Sequence, residues 1–200
     1  MKLSELMKDV TPDPSFEGIV TAGDMVLAID FEGGGTTPSN YIVADGGITE
    51  QSGALEATTA ESTYLRGGTT SSKTGTKRTF TVAGDLLAKD EFQDALLAHK
   101  LKYGTGQKVI KPYIYFNMLT GKGEQGKLSV AVEDDAGGEA GGNATWSATL
   151  TAVGTPTEYT YSPASMQASQ ATEMAATSTE GAPAQSSKAA ESKTTQTAKQ

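Results

Sequence analysis

The most constraining feature of this sequence is a series of short β-strand patterns, separated by turn residues, that runs through residues 17–161 around a single helical pattern. Residues 24–31 and 41–44 are compact apolar runs, the first closed by a predicted turn at residues 33–38 and the second by a hairpin-type turn at residues 45–47, and apolar and hydroxyl side chains alternate through residues 76–83. Many short strands at close spacing are typical of sandwiches and barrels. The sequence therefore predicts a mainly β fold, a sandwich or barrel with one flanking α-helix.

The helix is predicted from Asp90 to about Lys100. Asp90 is a residue type that commonly caps helix N-termini, and Phe92, Leu96 and His99 share one apolar face. Gly104 follows at the position where a C-terminal glycine is common. Further strands are predicted at residues 48–59, 62–65, 108–119, 126–133 and 144–153.

Three parts of the chain differ in composition. Residues 1–16 form an N-terminal arm, in which Leu3, Leu6, Met7 and Val10 lie at helical spacing, and we expect these four side chains to dock on the chain's own domain or on a neighbour. Residues 17–162 form the β-domain. Residues 163–200 contain no Leu, Ile, Val, Phe, Trp or Tyr. Such a segment cannot bury enough apolar surface to offset roughly 1–2 kcal/mol of ordering per residue, so we expect a disordered tail, with helix as the alternative.

Charge and composition exclude several classes of function. The formal net charge is −8, which disfavours nonspecific binding to DNA phosphates and adhesion to anionic membranes. The chain has no cysteine, which removes disulfide and thiolate chemistry. The interrupted apolar pattern of MKLSELMKDV differs from that of a signal peptide, and no apolar run approaches the ~20 residues that span a bilayer.

No motif in the sequence indicates catalysis, a cofactor or a metal. Residues 121–126 match the G-x-G-x-x-G spacing, but a strand pattern follows instead of the helix that a dinucleotide needs, so we interpret them as a hairpin turn. The acidic segment 133–143 is expected to be a solvated loop, with a site for a hard cation such as Ca²⁺ as the alternative. The single histidine, His99, lies on the apolar helix face and is expected to be structural.

A glycine-, threonine-, serine- and lysine-rich segment, residues 66–77, lies between two strand patterns and is predicted to be a long inter-strand loop. Loops of this length without structure of their own are usually functional or disordered, so a mobile surface loop is the alternative to an interface. Its cations stand out on an acidic chain, so identical copies are expected to attract one another, basic loop to acidic face. The residues expected to form this assembly surface are Arg66, Gly67, Gly68, Lys73, Gly75, Lys77 and Arg78.

Taken in order, several segments resemble the major tail (tail tube) proteins of long-tailed, non-contractile bacteriophages, particularly those of Gram-positive hosts. The resemblance covers about residues 15–160. Its segments are YIVADGGIT (41–49), YLRG (64–67), TGTKR (74–78), GD (84–85), DEF (90–92), KYGTG (102–106), TGKGEQGK (120–127) and GTPT (154–157).

The resemblance implies a β-sandwich flanked by a helix. It implies that six copies form a ring whose inner strands join into a barrel, and that rings stack into the tube through which the genome enters the host. It also implies that the long loop and both terminal arms reach adjacent rings. The implied partners are further copies of the chain and the tape measure, tail terminator and distal tail proteins, with DNA passing unbound through the lumen and no membrane contact.

The resemblance further implies a place in the virion tail, after synthesis and assembly in the host cytoplasm. Threonine-rich strand faces at Thr79, Thr81, Thr145, Thr149 and Thr151 fit a hydrated wall, although the sequence leaves open which of them line a lumen. The alternative function is a carbohydrate- or receptor-binding β-sandwich module on a phage or bacterial surface. An enzyme is not expected, because the sequence shows no recognisable arrangement of a nucleophile with a general base.

Overall fold

The structure, a computed structural model, describes residues 1–34 and 40–162. Its eight strands belong to one antiparallel sheet with three short α-helices, so the predicted mainly β fold class is confirmed. The expected disorder of residues 163–200, and the part of the predicted turn after the first strand that falls on Gly35 and Pro38, lie outside the described residues. The elements are α1 (Leu3–Leu6), β1 (Met25–Ile29), β2 (Ile42–Val43), β3 (Ile48–Tyr64), β4 (Gly68–Asp85), α2 (Glu91–Leu96), α3 (His99–Lys102), β5 (Ile110–Asn117), β6 (Lys122–Gly137), β7 (Thr145–Ala152) and β8 (Thr157–Thr160).

The sheet folds back on itself to make two facing walls. Its strand order is β2-β1-β5-β6-β7-β4-β3, with β8 paired to the start of β6. Strands three places apart in a flat sheet would be about 14 Å apart, yet the rings of Phe80 on β4 and Tyr115 on β5 have centroids 4.8 Å apart. On β3, Gln51 Nε2 donates to the Met25 carbonyl of β1 at 2.9 Å. We call β2, β1 and β5 the arm wall, and the C-terminal half of β6 with β7, β4 and β3 the threonine wall.

The main core lies between the two walls and beneath α2 and α3. Period-two alternation directs Phe80 and Val82 of β4 and Leu150 of β7 into it, as the alternating pattern predicts. Strand β1 is buried on both faces, because Leu27 and its neighbours alternate between the main core and a second cluster outside the arm wall. The second cluster consists of Leu3, Met7, Val26, Ala28, Tyr41, Val43, Ile114, Phe116 and Tyr161.

Helix α2 is tied to the sheet by a fully buried glutamine that sequence reasoning missed. Asp90 caps the helix as predicted, because its Oδ1 accepts from the Gln93 backbone N–H at 2.9 Å. The Gln93 amide donates to the carbonyls of Gly46 and Asp85 at 2.9 and 3.1 Å, and its Oε1 accepts from the Leu87 N–H at 2.8 Å. Gly46 and Leu87 lie in loops and Asp85 is the last residue of β4, so one side chain holds the helix, these loops and the end of a strand together.

The predicted single helix is two short helices. Ala98 has extended backbone angles (φ −56°, ψ 140°), which ends α2 and caps α3. This break moves His99 off the apolar face that carries Phe92 and Leu96, so the prediction of a structural histidine on that face is wrong. The imidazole is exposed and lies against the ring of Tyr103, with centroids 4.8 Å apart.

Two turn predictions also differ from the structure. The turn at residues 45–47 does not close a hairpin, because β2 pairs with β1 whereas β3 pairs with β4. Residues 122–126 belong to β6, and the chain reverses just before them at Gly121, whose φ of +72° favours glycine. Strand β8 was not predicted, since its four residues carry little apolar pattern. Among the described residues no helix is long and apolar enough to cross a bilayer.

Candidate assembly interface

The segment predicted as a long loop is the distal half of a β-hairpin. Only the reversal at Arg66 and Gly67 is irregular, and β4 begins at Gly68, where a φ of +73° lets the chain turn. The two strands pair to the end of the hairpin, with Tyr64 opposite Gly68 and Thr63 opposite Thr69, and the register shifts by one residue between Thr58 and Thr59. The segment was mistaken for a loop because both of its faces are exposed, so hydrophobic alternation, the usual sign of a strand, is absent.

The predicted surface residues in β4 have two different environments. Lys73, Gly75 and Lys77 are exposed on the hairpin. The ammonium of Lys77 lies 3.9 Å from the Glu56 carboxylate, a solvated pair. Arg78 is instead buried, which removes its guanidinium from the exposed hairpin surface on which it was expected.

Arg78 is held by a charged and aromatic cluster at the base of the hairpin. Its Nε donates to Glu124 Oε1 at 2.7 Å, and its guanidinium lies over the rings of Phe80 and Tyr115 at 4.3 and 5.1 Å. The Tyr113 hydroxyl donates to the same Glu124 oxygen at 3.3 Å. Burial, followed by the Glu124 charge, raises the pKa of Tyr113, and burial raises that of Tyr115. The cluster fixes where the hairpin leaves the domain, and Glu124 was not foreseen from sequence.

An open groove of about 400 Å³ lies beside this cluster. Leu55 forms part of its apolar wall while remaining 65% exposed. Both charged and apolar residues line the groove. Its other lining residues include Lys73, Thr76, Arg78, Glu124 and Pro156.

On β4 and β7, the outward face of the threonine wall is made of small hydroxyl and methyl side chains. Thr79 pairs with Thr151 and Thr81 pairs with Thr149, all four pointing away from the core that Leu150 enters. Thr145 belongs to the same face at its exposed end. The sequence identified these threonines but not their common face, because register across β4 and β7 is a tertiary property.

Two strand edges border this face. In the described part of the chain, β3 has a paired neighbour only on its β4 side over the whole of Ile48–Tyr64. At the opposite border, β6 pairs with β5 only as far as Ser129, so residues 130–137 have a strand neighbour only in β7. Unpaired edges normally recruit further strands, and here they stand at both borders of one four-stranded wall.

The predicted contact residues of the N-terminal arm dock on the chain's own domain. Leu3 and Met7 are buried on the arm wall, and Leu6 and Val10 pack against the same cluster. A backbone hydrogen bond adds to this apolar contact, since the Leu3 N–H donates to the Tyr41 carbonyl at 2.9 Å. Both alternatives were open from the sequence, and the structure places these side chains in an intramolecular contact.

The acidic segment is part strand and part loop. Strand β6 continues to Gly137, and Asp135 makes an ion pair with Lys102 of α3 that lowers the carboxyl pKa and raises the ammonium pKa. Within residues 1–34 and 40–162, no cluster of three or more His, Cys, Asp or Glu side chains is placed to hold a metal ion. Within the described residues, no ring contact joins any two of the exposed aromatic residues Phe16, Tyr64 and Tyr103.

Comparison with solved structures finds the same fold in chains of gene transfer agent particles. The tail of an empty gene transfer agent particle, refined with C6 symmetry, matches with a TM-score of 0.54 and 16% identity over 72% of this chain and 100% of that chain. A chain from the virion of a native gene transfer agent particle matches with a TM-score of 0.51 and 14% identity over 70% of this chain and 98% of that chain. No protein-family model matches the sequence, and no curated protein is significantly similar to it. At these identities the likeness shows the fold alone.

Proposed function

We propose that this protein is a structural subunit of a phage-like tail, and that its copies assemble into stacked rings forming the tube through which a genome leaves the particle. The observation that carries the proposal is the threonine wall, a four-stranded wall with a free edge at each border and small, mostly hydroxyl-bearing side chains on the outward face of β4 and β7. The shared fold with chains of a gene transfer agent tail and of a gene transfer agent virion supports it. The siphophage type suggested by the sequence is part of the same proposal.

The number of strands in the wall favours ring closure. Strands β6, β7, β4 and β3 alternate in direction, so β3 runs antiparallel to β6. Rotating a second copy about an axis along the strands brings its β6 edge beside the first copy's β3 edge, and the alternation continues unbroken. A closed ring of such walls leaves no edge exposed, which removes the aggregation hazard of each separate copy. Six copies are proposed, by analogy with the C6 symmetry of one structural neighbour.

The chemistry of the threonine wall fits the lining of a DNA conduit. Between Lys77 and Asp85 of β4, the outward positions are Thr79, Thr81 and Ala83, none of them charged. Duplex DNA is held by cations that neutralise its phosphates, so a hydroxyl-lined surface on an acidic protein lets it pass without binding. These three positions carry no cationic side chain that could bind phosphates, which supports a channel over a nucleic-acid-binding site.

The hairpin is the proposed contact between rings. Beyond Leu55 and Arg78 its two strands project about 30 Å with only each other as strand neighbours in the described chain. An isolated two-stranded hairpin is marginally stable in water, and this one carries a fully exposed Leu65 and a 60% exposed Tyr64 at its end. Docking on an acidic neighbouring copy covers these side chains and brings Arg66 and Lys73 to opposite charge.

The test uses the absence of cysteine from the chain. Ser52→Cys on β3 and Glu133→Cys on β6 place one thiol at each edge, both at exposed positions. With both substitutions in one chain, a short bismaleimide is expected to link copies into a ladder that ends at the ring number, while electron microscopy displays rings or tubes. Each single variant is the control and is expected to give no ladder. Monomers under all conditions, including with a tail initiator complex present, would refute the proposal.

A further inference from the structure

The charges of this chain are segregated along its sequence. Residues 9–65 contain ten Asp and Glu side chains and no Lys, Arg or His. Residues 95–123 contain five lysines and one histidine and no Asp or Glu. The first segment supplies β1, β2 and β3, and the second supplies α3 and β5. Each copy therefore has an acidic part and a basic part, and the fold determines where each of them lies.

The basic part borders the free edge of β6. Lys102 of α3 makes an ion pair with Asp135 of β6, which holds the helix beside the edge that β5 leaves unpaired. Leu101 is buried in the main core, so α3 lies on the core side of the threonine wall. Lys100 on α3 and Lys108 on the 3-10 turn packed against it are exposed, and neither has an ion-pair partner among the described residues. We call these two lysines the basic patch.

The acidic part lies at the opposite border of the threonine wall, beside β3. Asp45 and Glu50 line a groove of about 230 Å³ at the start of this strand. Helix α2 is held next to the groove, because the Gln93 amide donates to the Gly46 carbonyl, and it carries the exposed Asp94. In the described chain, none of the three carboxylates has an ion-pair partner. We call Asp45, Glu50 and Asp94 the acidic surface.

The two parts lie at the same height along the strands. Strand register places Asp134 of β6 opposite Ser147 of β7, and Ser147 opposite Ala83 of β4. Ala83 in turn lies opposite Glu50 of β3, so one row of paired residues runs from the residue beside Asp135 to the acidic surface. A rotation about an axis along the strands, the operation proposed for ring closure, preserves this height. It brings α3 of one copy beside the acidic surface of the next copy.

We propose that the basic patch of each copy binds the acidic surface of the next copy in the ring. This inference rests on the proposed ring-forming function and adds a contact between side chains to the pairing of strand edges. The edges need such a contact, because pairing alone brings Asp134 of one copy close to Glu50 of the next, and carboxylates side by side repel each other. The lysines offset that repulsion. They also fix a head-to-tail order, since neither surface attracts a second copy of itself.

The experiment reverses the charge of each surface in a separate variant. Lys100→Glu/Lys108→Glu makes the basic patch acidic, and Asp45→Lys/Asp94→Lys makes the acidic surface basic, all at exposed positions. Each variant alone presents like charges at the contact, so we expect the protein concentration for half-maximal ring formation to rise at least about tenfold. Ring formation is measured by analytical ultracentrifugation at low salt, where screening is weakest, and by negative-stain microscopy.

An equimolar mixture of the two variants is the decisive sample. Copies with two acidic surfaces alternate with copies with two basic surfaces, and the alternation closes in a ring with an even number of copies. We expect the mixture to form rings within about threefold of the concentration that the unsubstituted protein needs. Rings from either variant alone at that concentration, or no rings from the mixture, would overturn the inference.

A matched control separates the location of the charges from their sum. Lys8→Glu/Lys127→Glu makes the same change in net charge as the reversal of the basic patch, at exposed positions elsewhere, and is expected to form rings. Loss of rings in this control would assign the effect to net charge and overturn the inference. Fluorescence of the buried Trp146 checks that each variant is folded. If a reversal prevents folding, neutral Gln or Asn replacements at the same positions take its place and are expected to weaken ring formation at least about threefold. Failure of the unsubstituted protein to form rings refutes the proposed function instead, so the two failures are distinguishable.

Discussion

The Nε of Arg78 lies 2.7 Å from Glu124 Oε1, and this ion pair joins the base of the projecting hairpin to the middle of the sandwich. The side chains are 10% and 26% exposed, so solvent screens the pair only in part. Replacing Arg78 by Met leaves a carboxylate without its partner, and we expect a loss of about 2 to 3 kcal/mol in the free energy of unfolding. Urea denaturation followed by tryptophan fluorescence measures it, with Lys77→Met, at an exposed position, as the control.

A double-mutant cycle separates the ion pair from simple packing. Arg78→Met leaves the Glu124 carboxylate without its cation, and the double variant Arg78→Met/Glu124→Met removes that carboxylate as well. The loss of unfolding free energy in the double variant is therefore expected to be smaller, by about 1 kcal/mol or more, than the sum of the losses in the two single variants. Strict additivity of the two changes would mean that the guanidinium acts through its contact with the rings of Phe80 and Tyr115 and not through the carboxylate.

Gln93 is expected to be the most sensitive polar residue in the domain. Gln93→Leu leaves the carbonyls of Gly46 and Asp85 and the N–H of Leu87 without their partner, at a cost of about 1 to 3 kcal/mol for each group that water cannot reach. We expect a loss of at least 2 kcal/mol in unfolding free energy. Gln107→Leu makes the same change at an exposed position and is expected to stay within about 0.5 kcal/mol.

Replacing Thr79 is expected to stabilise the protein, whereas replacing Gln93 is expected to destabilise it. The Oγ1 of Thr79 is buried with no hydrogen-bond partner, while the same substitution at the neighbouring Thr81 removes no such atom. Thr79→Val keeps the shape and removes an unsatisfied hydroxyl, so we expect a gain of about 1 kcal/mol. Thr81→Val is the control and is expected to give no gain. A loss of stability in Thr79→Val would indicate that the hydroxyl is satisfied in solution.

The tyrosines beneath the N-terminal arm are expected to make the fold sensitive to alkali. Burial, followed by the charge of Tyr161, raises the pKa of Tyr159 to about 12, and burial with the charge of Asp30 raises the pKa of Tyr41 to about 12. The unfolded phenol ionises near pH 10. A group with a raised folded pKa gives stability that is complete below pH 10 and is lost as pH rises from 10 to 12.

Thermal unfolding between pH 9 and pH 12 measures this loss. Tyr159→Phe cannot ionise, so its melting temperature is expected to fall less steeply over that interval than that of the unsubstituted protein. Tyr64→Phe, at a 60% exposed position near the end of the hairpin, is the control. Identical slopes for Tyr159→Phe and the unsubstituted protein would contradict the assignment to this cluster.

The sequence predicted secondary structure correctly where burial of one face makes apolar side chains recur at a regular spacing. The strand around Phe80 and Val82 and the cap at Asp90 were predicted correctly, because a one-sided core and a capped helix leave local patterns. Strand structure in residues 68–77 was missed because no core selects its side chains. Gln93 and Glu124 were missed because a buried polar residue is recognised by its partners, which lie 6 or more residues away. The free edges of β3 and β6 depend on strand order, which no local pattern encodes.

Shortening the hairpin tests its role without touching the core. Residues 60–63 and 69–72 face each other in register, from Ala60 opposite Ser72 to Thr63 opposite Thr69, and all eight are exposed. Deleting both sets keeps the turn and the side-chain alternation but shortens the projection by about 13 Å. Since no buried residue is lost, the unfolding free energy is expected to change by less than about 1 kcal/mol while ring stacking is abolished. Glu61→Thr, which keeps the full length, is the control and is expected to form tubes. Tubes of normal length from the shortened protein, seen by negative-stain microscopy, would remove the hairpin from the contact between rings and leave that contact to the domain bodies.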